Sequence, residues 1–207
     1  MKMDGTIAMF RYWDMLRAGR PAPFRTEIDP TAIKGRLPDT FILEFDTAAE
    51  LRFRLAGTNV CAAFGRELRH LAFAEIWRLE DRNAVDALGK ATLTQGAVVL
   101  AQAHGRSRQG RPAGFELLLL PLDAGPGRPR AMGLATPLER PFWLGAHPLA
   151  TLELDEARLI DPKAMPALDL GKRTPSLAPQ DLEPAEGDRT RRVRHLVVLD
   201  GGKSQDG

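Results

Sequence analysis

The most informative stretch of this sequence is FRYWDMLRAGRPAPFRTEIDPTAIKGRLPDTFILEF, residues 10–45. It begins with Phe10, Trp13 and Leu16, whose spacing places three apolar side chains on one face of a helix. Gly19 stands where that helix would end, and prolines follow it. A strand then begins after Pro38. The pattern predicts a helix and a proline-punctuated strap leading into a sheet domain.

The sequence after this stretch alternates as strands do. Apolar residues at 51, 53 and 55 alternate with arginines, which indicates a strand with one buried face. Helices are predicted over residues 58–68 and 80–95, and three strands over residues 97–107, 113–122 and 129–136. Residues 151–160 are either a further strand or an extended arm. The order predicts an α+β domain with a five-stranded antiparallel sheet and helices on one face.

The chain divides into three predicted parts. Residues 1–39 form an N-terminal helix and strap, residues 40–161 the sheet domain, and residues 162–207 a mostly disordered tail. The tail is predicted because prolines recur there among charged residues, with little apolar surface to bury. Within it, Arg191–Leu199 is either a solvated basic stretch with a β-prone end or a docking strand.

The N-terminal stretch resembles the opening of an alphaproteobacterial family of PAS-domain proteins, which begin Y-W-(D)-x-L-R-x-G-R-x-x-P-x-R-x-x-I-D-P, followed by L-P. The matching residues are Tyr12, Trp13, Asp14, Leu16, Arg17, Gly19, Arg20, Pro23, Arg25, Ile28, Asp29, Pro30, Leu37 and Pro38. The resemblance implies a PAS-like fold with a flanking N-terminal helix. It implies less about function, because one fold hosts many ligands and outputs.

Composition excludes several classes of protein. A formal charge of +2 over 207 residues gives no strong positive potential that would attract nucleic acid. A single cysteine, Cys61, excludes an internal disulfide and a cysteine-based zinc site. We find no apolar run long enough to insert in a membrane, and the N-terminus lacks the apolar core of a signal peptide. These features predict a cytoplasmic protein.

No cofactor is predicted. Among PAS domains, the light-sensing flavin proteins place a cysteine directly after an asparagine in this region, whereas here Val60 separates Asn59 from Cys61. One residue turns a helical side chain by about 100°, so we expect an inert thiol. Haem PAS domains usually take a histidine from the helix that corresponds to residues 80–95, which contains none. His70 and His104 lie elsewhere, and no histidine pair has metal-ligand spacing.

A ligand pocket or a filled core is expected between the helices and the sheet. The apolar candidates for its lining are Phe53, Leu55, Val60, Phe64, Trp77, Val85, Phe115, Leu117, Met132 and Leu134. The candidates for an interaction surface are Phe10, Trp13 and Leu16. The arginines of the first stretch are expected to pair with Asp14, Glu27 or Asp29 while their stems cover apolar surface.

Three functions are compatible with these patterns. The first is a non-catalytic signalling module that acts through an unknown protein partner or through self-association, for example as a homodimer built on the N-terminal helix. The second is a sensor of a small apolar or amphipathic metabolite in the pocket. The third is an enzyme, for which no nucleophile motif or convergent polar group is visible.

Overall fold

A computed structural model describes residues 1–160, together with residues 192–193 and 196–197. The chain divides into two compact units, Met1–Leu168 and Asp169–Gly207. In the second unit, Arg192–Val193 pairs antiparallel with Leu196–Val197. The rest of the predicted tail and of the Arg191–Leu199 segment lies outside the described residues. Within the described part, no helix is both long and apolar enough to span a membrane.

The first unit is an antiparallel sheet of six strands in the order β2-β1-β5-β4-β3-β6. The helices are α1 (Asp4–Arg17), α2 (Thr58–Phe64) and α3 (Arg82–Gln95), and the strands are β1 (Thr40–Phe45), β2 (Leu51–Ala56), β3 (Val98–Ser107), β4 (Pro112–Leu122), β5 (Arg130–Pro137) and β6 (Leu149–Ile160). The sheet has one strand more than the five predicted, because residues 149–160 pair along most of β3. Helix α2 is shorter than predicted, since Gly65 ends it in the left-handed conformation at φ 64°.

Both faces of the central strands are buried, since alternate side chains point to opposite sides of a sheet. The inner face carries Phe115 and Leu117 of β4 and is covered by α2, α3 and short helical turns. The outer face carries Leu118 and Leu120 of the same strand and packs against α1. The sequence-predicted flanking helix therefore covers the second face of the sheet.

Helix α1 is held to the outer face by polar as well as apolar contacts. Trp13 is fully buried, and its Nε1–H donates a hydrogen bond to the carbonyl oxygen of Pro121 at 2.8 Å. The buried carboxylate of Glu116 accepts hydrogen bonds from the backbone N–H groups of Lys2 and Met3, at 2.8 and 3.1 Å. The helix is thus anchored near both of its ends.

The strap after α1 is held by the arginines of the opening stretch. Arg17 pairs with Asp14 at 2.6 Å, and Arg20 pairs with Glu27 at 2.8 Å. Arg20 also donates to the carbonyl oxygen of residue 16, which satisfies one of the free carbonyls at the end of α1. These two ion pairs are among those that the sequence predicts, and they hold the strap against the end of α1.

We expect Trp13→Ala to lower the free energy of unfolding by about 3–5 kcal/mol, because it removes a fully buried indole and its hydrogen bond. The matched control is Met15→Ala on the same helix, where the side chain is 66 % exposed. Urea unfolding followed by circular dichroism measures both. Equal stability of the two variants would contradict the burial of α1 on the sheet.

A second test concerns Gly133, which pairs with Phe41 across β5 and β1. A Cβ atom at residue 133 would lie 2.1 Å from the Phe41 ring, so Gly133→Ala has to displace that ring. We expect a loss of about 1–3 kcal/mol in the free energy of unfolding. Gly35→Ala is the control, because a Cβ there meets no atom within 4 Å. If Gly133→Ala is as stable as the wild type, the Phe41 ring can move aside without a loss in the free energy of unfolding, and the prediction is wrong.

Candidate functional site

A cavity of about 160 Å³ lies between the inner face of the sheet and α2. Its wall is mainly aromatic and aliphatic, with a few polar residues at one end. The residues that line it are Asp39, Phe41, Phe53, Asn59, Val60, Ala62, Ala63, Phe64, Phe73, Ile76, Trp77, Phe115, Leu117, Ala135, Pro137, Arg140, Pro141, Leu144, Gly145 and Leu152.

The aromatic wall is a connected cluster of rings. The ring centroids of Phe41 and Phe53 are 5.5 Å apart, and those of Phe53 and Phe73 are 5.6 Å apart. Trp77 continues the cluster at 5.9 Å from Phe73 with an edge-to-face geometry. Edge-to-face packing at these distances is favourable for aromatic rings, so this wall is closely packed and apolar.

The polar end of the cavity joins three distant parts of the chain. Asp39 ends the short helical turn before β1 and is 5 % exposed. Its carboxylate accepts hydrogen bonds from Asn59 at the start of α2, at 2.9 Å, and from Arg140. Arg140 belongs to residues 138–148, which we call the cover loop. Because the Arg140 side chain is 55 % exposed, this end of the cavity is its mouth.

Trp77 is 1 % exposed, and its Nε1–H has no hydrogen-bond partner among the described residues. A buried donor without a partner costs about 1–3 kcal/mol. The same side chain lines the main cavity and a smaller one of about 20 Å³ beneath α3. Because its Nε1 atom has almost no accessible surface, this donor lies in the packed interior and does not face the cavity.

The structure brings together six of the ten predicted lining residues around the main cavity. They are Phe53, Val60, Phe64, Trp77, Phe115 and Leu117. Val85 lines only the smaller cavity beneath α3. The remaining three lie elsewhere.

Two of those three belong to the other face of the sheet. Met132 and Leu134 pack with α1 in the outer cluster, because the inner positions of β5 are taken by Ala131, Gly133 and Ala135. Alternation along a strand shows which residues share a face of the sheet, but it does not show which helix packs on that face.

Leu55 lies outside the cavity for a different reason. The β1–β2 register shifts so that Leu43 pairs with Phe53 and Ile42 pairs with Leu55, which leaves Arg54 as an extra residue. Such a β-bulge interrupts the alternation of side chains. Leu55 is consequently 52 % exposed instead of facing inward with Phe53.

Several site residues were not among the predicted ones. Phe41 and Phe73 belong to the aromatic wall, and Asp39, Asn59 and Arg140 form the polar mouth. The alternation Phe41, Leu43 and Phe45 in β1 could have identified Phe41. Nothing in the local sequence connects Asp39 to Arg140, which lies 101 positions later.

The three residues predicted to form an interaction surface pack against the protein's own sheet instead. Phe10 and Trp13 are buried against the outer face of the sheet, and Leu16 packs against the same cluster at partial burial. The exposed side of α1 instead presents Met15.

A protein-family model described as PAS domain matches residues 1–136 of the chain. That range contains α1, α2, α3, β1 to β4 and most of β5. No curated protein and no solved structure matches the chain.

Cys61 lies on α2 but is absent from the residues that line the cavity. Its Sγ is 3.8 Å from the carbonyl oxygen of Ala56 and 3.6 Å from a carboxylate oxygen of Glu67. Burial raises the pKa of the Cys61 thiol above its ordinary value, and the neighbouring Glu67 charge adds to that effect. His70 and His104 are also not among the lining residues.

The raised pKa of Cys61 predicts slow alkylation. The thiolate is the nucleophile, and at pH 8 a group with a raised pKa contains less thiolate, so we expect iodoacetamide to react more slowly with the folded protein than with the same chain in urea. The difference shrinks as the pH rises through the raised pKa. Mass spectrometry at timed intervals gives both rates. Faster reaction of the folded protein would show an activated cysteine and contradict this prediction.

Proposed function

The chain belongs to the PAS-domain family, and on that premise we propose that it is a signalling module without catalytic activity. In this proposal it binds a small apolar or amphipathic molecule in the main cavity. The occupancy of the cavity then changes how the protein binds a protein partner or a second copy of itself.

The observation that carries this proposal is the open cavity on the inner side of the sheet. Protein interiors are close-packed and contain few voids larger than a water molecule. A cavity of about 160 Å³ is larger than such a void. A bound molecule would fill this space, which favours ligand binding over a filled core.

The size of the cavity supports a small ligand instead of a flavin or haem. Pockets for drug-sized ligands have volumes of about 300–1,000 Å³, which is well above the volume of this cavity. The positions of Cys61, His70 and His104 outside its lining agree with this. We therefore propose a sensor without a resident cofactor.

The non-catalytic part of the proposal rests on the chemistry of the mouth. Asn59 and Arg140 both donate to Asp39, and the described lining contains no serine, cysteine, histidine or lysine. A nucleophile and a base within reach of each other, as covalent catalysis requires, are therefore not among the described lining residues.

The cover loop is the proposed route to a partner. It lines the cavity through Arg140 and Leu144, and it also exposes Phe142, which is 92 % accessible. Leu138, at the start of the loop, is 42 % exposed. Ligand binding in the cavity can therefore alter the exposed apolar surface around Phe142, because the cover loop contacts both. Self-association through α1 remains the second candidate, and it would use the exposed side around Met15, since Phe10 and Trp13 are buried.

Filling the cavity tests this function. Ala135 lines the cavity from β5, so Ala135→Leu places three further carbon atoms in it. Protein purified from its native cells should release a small molecule on denaturation, and the Ala135→Leu variant should release little or none of it. The variant should also capture a different set of proteins from the native cytosol. Mass spectrometry of both fractions measures these outcomes.

The control is Ala150→Leu, an exposed position of β6, which should behave as the wild type does. If wild type and Ala135→Leu release the same molecules and capture the same proteins, the cavity is a packing defect, and the proposed sensing is wrong.

A further inference from the structure

We infer that two copies of this chain associate through the outer edge of β6, with residues 155–160 of each copy paired antiparallel and Ala157 on the two-fold axis. Glu156 of one copy then lies opposite Arg158 of the other, once on each side of the axis. The two six-stranded sheets become one continuous sheet. This inference rests on the self-association in the proposed function and names the surface for it.

The edge of β6 is covered only in its first part. One side of β6 pairs with β3, and the other side is the edge of the sheet. The backbone N–H of Arg78 donates to the carbonyl oxygen of Leu152 at 2.9 Å, and the Asp81 carboxylate accepts the N–H of Leu154 at 2.8 Å. Among the described residues, we find no hydrogen bond between the backbone of residues 155–160 and any segment other than β3. Such an edge is a template for another strand.

Symmetry limits the registers in which a second copy can pair. An antiparallel pair of identical strands in one continuous sheet has its two-fold axis perpendicular to the sheet, so opposed side chains lie on the same face. Arg158 and Ile160 pair with Leu100 and Val98, which belong to the outer face. Glu156 lies on that face too, since it is two residues before Arg158. The axis therefore passes through a residue of β6 and not between two residues.

Charge selects one axis among those through residues 156 to 159. With the axis at Ala157, Glu156 and Arg158 lie opposite each other twice, and opposite charges across two strands attract. With the axis at Glu156 or at Arg158, two like charges lie directly opposite, which is unfavourable. With the axis at Leu159, Arg158 lies opposite Ile160, and Glu156 has no partner within residues 155–160. The axis at Ala157 is therefore favoured.

Charges and bulges on an edge strand usually prevent association with other chains. In β6 the register with β3 shifts at Asp155, which is such a bulge. It lies at the start of the open part of the edge, and the two charges beyond it have opposite signs in a self-complementary order. A strand of another sequence leaves Glu156 and Arg158 without matched charges, whereas a second copy pairs both. The pattern therefore selects the chain's own copy.

The same strand is connected to the cavity. It begins at Leu149, directly after the cover loop, and Leu152 lines the main cavity. Its open part carries Leu159, whose side chain is 59 % exposed and loses accessible surface when a second strand is added. A ligand that moves the cover loop therefore acts on the strand that carries the dimer surface. Pairing at this edge gives the proposed sensor an output.

Sedimentation equilibrium of the full chain over a concentration series measures the association, and we expect a monomer–dimer equilibrium. Glu156→Arg places arginine opposite arginine twice, and Arg158→Glu places glutamate opposite glutamate twice. Because one substitution alters both pairs, each should raise the dimer dissociation constant about tenfold or more. The double variant Glu156→Arg/Arg158→Glu restores opposite charges, so its constant should return to within about threefold of the wild type.

Control variants separate this edge from other surfaces. Arg69→Glu makes the same charge change at an exposed arginine outside β6 and should leave the dissociation constant unchanged. Met15→Arg tests the exposed side of α1 and should also leave it unchanged. Circular dichroism verifies that each variant folds. We expect folding to persist, because the Glu156–Arg158 pair within one chain is solvent-exposed and contributes little.

A disulfide locates the axis without relying on charge. In a Cys61→Ala background, Ala157→Cys places two thiols directly opposite each other, and mild oxidation should link the two copies. Leu159→Cys is the matched control on the same strand. Its two copies would lie four residue steps apart, about 13 Å along an extended strand, whereas the Cα atoms of a disulfide lie within about 7 Å. Non-reducing gel electrophoresis measures the linked fraction of each.

The inference is overturned if the chain is a monomer at every concentration, if either single charge variant dimerises as the wild type does, or if the double variant fails to recover. Equal linking of Leu159→Cys and Ala157→Cys, or loss of the dimer in Met15→Arg, would also overturn it. Failure of the sensing proposal is a separate result. Release of a small molecule by the wild type and not by Ala135→Leu supports sensing whether or not the chain pairs at β6.

Discussion

The sheet of this protein is apolar on both faces, and the structure depends on covering them both. In β4, Phe115, Leu117 and Leu119 point inward while Leu118, Leu120 and Leu122 point outward. If either row were exposed, several large side chains would lie in water. The free-energy cost would be about 25 cal/mol for each Å² of apolar surface left exposed. Helix α1 removes the outer row from water. The inner row is covered by α2, α3 and the cover loop, and the main cavity lies on that side.

The arrangement of strands and helices could be predicted from the sequence because it rests on local patterns. The alternation in β2, the glycine after α3 and the turns between β3, β4 and β5 each lie within a few residues of the element they define. The family resemblance of the opening stretch pointed to the same fold, and the family match over residues 1–136 agrees with it. The sequence predicts either a strand or an extended arm over residues 151–160, because an edge strand with many charged residues has little apolar periodicity.

The site was less predictable, for physical reasons that differ from residue to residue. Met132 and Leu134 are as apolar as any lining residue, and only the position of α1 decides that they face it. Leu55 follows a regular alternation that a β-bulge at Arg54 breaks. The mouth is held by Asp39, Asn59 and Arg140, which are adjacent only after the sheet, α2 and the cover loop have assembled. Long-range polar contacts of this kind leave no local trace in a single sequence.

The positions of the tryptophans give the protein a built-in optical reporter. The chain contains three, all buried: Trp13 on the outer face, Trp77 in the cavity wall and Trp143 on the inner side of the cover loop itself. A molecule entering the cavity changes the surroundings of the Trp77 indole, and a movement of the cover loop changes those of the Trp143 indole. Trp13 is shielded from both by the thickness of the sheet and by its bond to Pro121. Intrinsic emission therefore contains an internal reference and two responsive signals, which single Trp→Phe replacements can separate without any attached dye.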